Sequence, residues 1–203
     1  MKLWKRWTAA VLAAAMALLL LAACGPSGPS APDAPDTPGS SETGKDPTDE
    51  KTEEQKAAAV VDTLNTVRKN YGNNTPLELN EQACAFAKEM AQVQLDGVNG
   101  KYGKNPSTNR DYTAACANVR KKMVGEKKGS IGVGALQGAY PDANQFEKWA
   151  DKKWKYETEK ASVERNNALV KSKEATLVGV GVVQNTDSKT KDKYPIMVVV
   201  MTY

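Results

Sequence analysis

The sequence predicts an α+β fold, with about four helices packed on an antiparallel sheet of three to four strands, on three observations. Apolar residues between positions 57 and 154 recur at helical spacing, β-branched runs gather near the C-terminus, and clusters of glycine and asparagine separate the segments. Helices first and strands late are the order expected when helices cover a sheet made largely of hairpin-connected strands.

Two segments precede the folded part. Lys2, Lys5 and Arg6 form a cationic head, and residues 9–23 are uncharged and apolar, which is the layout of a secretory signal peptide. The run is shorter than the roughly 20 residues a spanning helix needs, and it stops at Cys24, Gly25 and Pro26. Leu21, Ala22, Ala23 and Cys24 resemble the lipobox of bacterial lipoproteins, so Cys24 is expected to carry lipid and to become the mature N-terminus. Two acyl chains suffice for stable anchoring, where one is marginal. Residues 24–49 hold almost nothing apolar and read as an extended spacer of Pro, Ser, Gly, Asp and Thr. Removal of residues 1–23 lowers the formal charge from +4 to +1, and a nucleic-acid partner is not implied. The expected setting is extracytoplasmic, with the lipid-anchored chain displayed at a bacterial cell surface.

Residues 50–203 form the expected single domain. Ala57, Val60, Val61, Leu64, Val67 and Tyr71 share one face of a first helix, which Gly72, Asn73 and Asn74 end. Asn80 is placed to cap a second helix with Ala83, Phe86, Ala87, Met90 and Ala91 inward, and Leu79 and Cys84 occupy staple positions. Residues 97–106 read as a long loop. A third helix over 111–123 turns Tyr112, Cys116, Val119 and Met123 to one side. Asp142 and Gln145 suggest a capping box for a fourth, bearing Phe146, Trp149, Ala150 and Trp154. Residues 176–183 and 196–201 then form an antiparallel hairpin around a lysine-rich loop, and residues 131–136 supply a third strand.

Chemistry is bounded mainly by what is missing. The chain contains no histidine, which excludes Ser-His-Asp and Cys-His catalysis and any histidine base. Glu157 and Glu159 point to different sides of a helix, and Glu147 with Asp151 reads as a solvated face. Gly132, Gly134 and Gly138 do not match a phosphate loop and fit close packing in a strand better. Trp149 favours the core, whereas Trp154 and Tyr156 divide evenly between core and contact with a ligand. Cys84 and Cys116 remain once Cys24 is lipidated, and two readings stay open for them: a disulfide between neighbouring helices of an exported domain, or two buried packing residues.

Four stretches in order resemble the CAP superfamily, the cysteine-rich secretory, antigen 5 and pathogenesis-related 1 proteins, in its bacterial extracellular branch. They are residues 64–80, with Leu64, Asn65 and Arg68 leading to Pro76, Leu77 and Leu79; residues 85–91; Trp149 and Tyr156, seven apart; and residues 176–182 with Gly179, Val180 and Gly181. The resemblance implies an α-β-α sandwich with a cleft that in many members holds two histidines and two glutamates around a divalent ion. In this sequence the corresponding positions fall on Val133, on Lys152, and on Glu164 or Asn166. Valine and lysine supply no such ligand, so a cleft free of metal and of any cofactor is expected. The function that follows is a non-catalytic module for an apolar or glycan ligand, with the lipid anchor holding it to the membrane. A wall-active or lipid-active hydrolase using cleft carboxylates is the alternative, and a structural envelope protein the third.

Overall fold

A computed structural model describes residues 51–124 and 131–203, within a unit that runs from Asp49 to Tyr203. The signal segment, Cys24 and the spacer up to residue 49 lie outside the described residues.

Helix α1 spans Glu53–Asn70. Thr52 Oγ1 accepts from the Gln55 amide at 3.2 Å, and Gln55 Oε1 accepts from the Thr52 amide at 2.8 Å, so two otherwise orphaned donors are satisfied reciprocally. Its apolar stripe is buried as the spacing predicts, and Arg68 is buried with it. The short strand β1, Glu78–Leu79, leads through the cap Asn80 into α2, Glu81–Val98; Asn80 Oδ1 accepts from the Ala83 amide at 2.9 Å. A 3-10 turn at Pro106–Thr108 precedes α3, Arg110–Val124, which buries Cys116, Val119 and Met123. Strand β2, Gly132–Gln137, is followed by α4, Ala143–Asp151, and α5, Glu157–Lys171. Strands β3, Leu177–Gln184, and β4, Ile196–Thr202, close the chain.

The sheet order is β1-β3-β4-β2. Strands β3 and β4 form the expected antiparallel hairpin, and β2 pairs antiparallel with β4 from Gly132 opposite Thr202 to Gln137 opposite Met197. The expectation of a wholly antiparallel sheet needs correcting, because β1 adds to β3 in parallel, with Glu78 opposite Leu177. Two residues were too few to read as a strand, and the same pairing overturns the staple: Leu79 lies on a sheet edge, 43% exposed. The helix number also changes. Five α-helices lie among the described residues, because the fourth stops at Asp151, short of Trp154, and a separate helix follows.

Strand β4 is buried on both faces, which explains its unbroken apolar run. Val198 and Val200 join a cluster with Leu64, Phe146 and Leu169, whereas Met197, Val199 and Met201 join another with Ala87, Met90 and Val119. Helix α2 lies directly against β3. A Cβ at Gly179 would collide with the Ala83 backbone, and one at Gly181 with the backbone at Ala87 and Lys88, one helical turn further on. The Val-Gly-Val-Gly pattern is therefore a contact surface for helix backbone. Gly132 and Gly134 serve the same purpose under Leu169 and Trp149, but Gly138 does not: its φ of 84° marks a turn.

Candidate functional site

A cavity of about 480 Å³ is bounded by α2, α3, β2, α5 and the end of α4 with the segment that follows it. Its position follows from local chemistry. Gly134 leaves room for the Trp149 ring, because a Cβ there would lie 2.5 Å from that ring. Trp149 is held edge-on to Phe146, with centroids 5.6 Å apart, and so belongs to the core while forming one cavity wall. Asn166 Nδ2 donates to the Val133 carbonyl at 2.6 Å, pinning α5 to β2. Asn167 Nδ2 donates to the carbonyls of Trp149 at 2.6 Å and Ala150 at 3.0 Å, satisfying acceptors left over where α4 ends. Helix α4 then gives way to Lys152, which stands at the rim.

On the opposite wall, Tyr112 donates its hydroxyl to Gln94 Oε1 at 2.6 Å, and Gln94 Nε2 approaches Cys116 Sγ at 3.8 Å. Burial raises the Tyr112 phenol above its usual range and pushes the Cys116 thiol up as well. Both groups are therefore neutral near pH 7, and Cys116 is not a thiolate nucleophile. Arg120 from α3 and Arg165 from α5 complete the lining, each half-buried. Burial lowers the Arg165 pKa, and the charge of Arg120 lowers it further.

Val133, Lys152 and Asn166, expected at the cleft, are thus brought together. Glu164 is not: it is exposed on α5 and absent from the lining, so of the two positions offered for one family ligand, Asn166 faces the cavity. Trp154 and Tyr156 lie outside, 46% and 58% exposed, each with a lysine ammonium over its ring, Lys160 at 5.2 Å and Lys155 at 5.3 Å. The disulfide reading also requires correction. Both cysteines are free. Cys84 sits near the start of α2, where its Sγ accepts from the Val180 amide at 3.5 Å, whereas Cys116 adjoins Gln94, ten residues and about 15 Å further along the same helix.

A divalent ion does not fit this donor set. Valine, an ammonium and an amide already donating to a carbonyl cannot replace imidazole and carboxylate, and among the described residues no Asp or Glu lines the cavity. Sequence reasoning missed Arg120, Arg165, Tyr112 and Gln94 as cavity residues. Helix α5 had not been separated from the segment before it, so the face carrying Thr158, Ser162, Arg165 and Asn166 was not recognised as one side of a cleft. A second, more open groove between α2 and α3 is lined by Glu89, Val93, Lys121 and Lys122, and Lys122 and Glu89 form a 2.6 Å ion pair across it.

Compared with family models and with curated proteins, the chain matches none. Among the described residues, no helix is long and apolar enough to cross a membrane.

Proposed function

We propose that the chain is a lipid-anchored, extracytoplasmic module of CAP type, an α-β-α sandwich whose cleft binds a small ligand without transforming it. The observation that carries this reading is the composition of the 480 Å³ cavity, which joins an apolar wall of Met90, Val133, Ala135 and Trp149 to a few convergent polar groups. Its size is within the ordinary range of small-ligand sites. Among the described residues the lining holds no carboxylate to support catalysis by a carboxylate pair, and burial keeps the Cys116 thiol protonated. The alternation of β4 between two clusters supports the sandwich, and Cys24 after Leu21, Ala22 and Ala23 supports the anchor.

Ala161 offers a way to close the cavity from its exposed side. Native mass spectrometry of the full chain released from bacterial membranes should find one small molecule retained per chain, unchanged on incubation, and none in Ala161→Trp. A chain that retains nothing, or that hydrolyses the molecule at a rate the substitution lowers, would overturn the reading. For the anchor, Cys24→Ala should lose a diacylglycerol-sized mass from the N-terminus, and an unlipidated wild-type chain would contradict it.

A further inference from the structure

We infer that the cavity holds a phosphate group of its ligand, seated on the guanidinium groups of Arg120 and Arg165; the inference rests on the ligand-binding reading above and specifies the chemistry of what is bound. Among the described residues, three cations line the cavity, Arg120, Arg165 and Lys152, and no carboxylate does. None of the three makes an ion pair within 4 Å among the described residues, where the pairs formed join Lys101, Lys122, Lys160 and Lys171 to acids elsewhere. Glu164 attracts Arg165 from the exposed side of α5 without reaching it.

Another arginine of the same domain gives the contrast. Arg68 is fully buried, and its guanidinium is taken up by backbone carbonyls. Among the described residues the donors of Arg120 and Arg165 meet no such acceptors, and both side chains line one shared cavity. Like charges held near each other in a partly desolvated site repel more strongly than they would in water. The lowered pKa of Arg165 has the cause expected of that arrangement, burial first and Arg120 second. A bound oxyanion relieves the repulsion and accepts from both planar forks.

Phosphate is favoured over a carboxylate by the rest of the lining. Thr158 and Ser162 of α5 add hydroxyl donors to a lining that already holds the three cations, which suits a tetrahedral group with three or four acceptor oxygens. Cys116 is protonated, and among the described residues neither a base nor a metal ligand set faces the site, so the phosphate is held and not transferred. The apolar wall then receives whatever the phosphate is attached to, as in a phosphorylated amphiphile, whereas free phosphate would use only the cationic side.

Calorimetry on the full chain in nonionic detergent tests this with four probes: inorganic phosphate, succinate, lysophosphatidic acid and the monoacylglycerol of the same chain length. Lysophosphatidic acid should bind at least tenfold more tightly than the monoacylglycerol, and phosphate more tightly than succinate. Arg120→Gln and Arg165→Gln should each weaken the phosphate-bearing probes at least tenfold, with Arg165→Lys intermediate and thermal melting reporting that each variant is folded. Should one glutamine variant fail to fold, the other and the lysine variant carry the same test. A lysophosphatidic acid affinity matching that of phosphate points to free phosphate as the source, and a much higher one to a lipid headgroup; both support the inference. Equal binding of monoacylglycerol and lysophosphatidic acid, indifferent to both arginines, would overturn it while leaving a ligand-binding cleft. Preference for succinate would replace phosphate by a carboxylate, and binding of none of the probes would also overturn it.

Discussion

Replacing Arg68 with methionine should cost the domain about 3 to 5 kcal/mol, although Arg68 touches no part of the cavity. Its Nη1 donates to the Leu169 carbonyl at 2.9 Å and its Nη2 to the Ser172 carbonyl at 2.9 Å, with longer approaches of 3.4 to 3.5 Å to Val170, Thr75 and Ala175. Leu169 and Val170 belong to the last turn of α5, whose carbonyls have no partner within the helix. A guanidinium there satisfies the acceptors and also places positive charge at the negative end of the helix dipole. The Ser172 carbonyl keeps a second donor in Asn73 Nδ2 at 2.6 Å, but among the described residues no side chain other than Arg68 donates to the Leu169 carbonyl. Losing one charged hydrogen bond costs roughly 1.5 to 3 kcal/mol, and stranding a buried carbonyl roughly 1 to 3 kcal/mol. Methionine fills much of the space and removes the desolvation penalty of the charge, the same burial that lowers the pKa of Arg68, which keeps the net below the sum of those upper limits. Urea unfolding followed by far-ultraviolet circular dichroism should show the midpoint falling by about 2 M at a slope of roughly 2 kcal/mol per M. Arg68→Lys, with one compact ammonium, should lose about half as much. A midpoint for Arg68→Met within about 0.5 M of wild type would refute the reasoning.

Other expectations are simpler to test. Gly179→Ala and Gly181→Ala should each destabilise the domain by more than about 2 kcal/mol in the same unfolding assay, because the added methyl meets α2 backbone that cannot rotate away; a neutral effect at both would mean that α2 does not lie against β3. Two thiols should react with a disulfide reagent in protein that carries lipid on Cys24, the half-exposed Cys84 first and the buried Cys116 slowly or only on unfolding, and no titrated thiol even in the unfolded chain would restore the disulfide reading. Tyr71 donates to Asp151 Oδ2 at 2.5 Å, and that hydrogen bond is the largest cause of a phenol pKa pushed up to about 12. The folded state therefore holds this proton more tightly than the unfolded chain does, so the associated stability is whole below pH 10 and is lost as pH rises through 12. Asp151→Asn should bring one tyrosine back toward the ordinary range in an ultraviolet titration, and an unchanged titration would remove Asp151 as the cause.

Much of the fold could be read from period and caps. The stripe on α1, the Asn80 cap, the buried side of α3 and the β3-β4 hairpin all depend on residues within a few positions of each other, where sequence spacing fixes geometry. What escaped depends on distant partners. The two residues of β1 become a strand only because β3 lies beside them, and Arg68 looks like an ordinary basic residue until the end of α5, a hundred positions away, supplies its acceptors. The long reach from Trp149 to Tyr156 hid a helix end, since Lys152 breaks the pattern by conformation and not by any proline or glycine. At the candidate site Val133, Lys152 and Asn166, positions singled out by the resemblance, line the cavity, yet the arginines that decide its charge were not legible, because α3 and α5 contribute them from segments 45 residues apart.

The central claim is that one site, between α3 and α5, binds a ligand. Nitrogen-edited chemical-shift mapping of the full chain in detergent tests it most directly, with lysophosphatidic acid titrated in. Saturable shifts should gather at the Trp149 indole, Arg120, Arg165 and Asn166, leaving the groove between α2 and α3 unchanged. Shifts centred on Glu89 and Lys122, or none that saturate, would contradict the account.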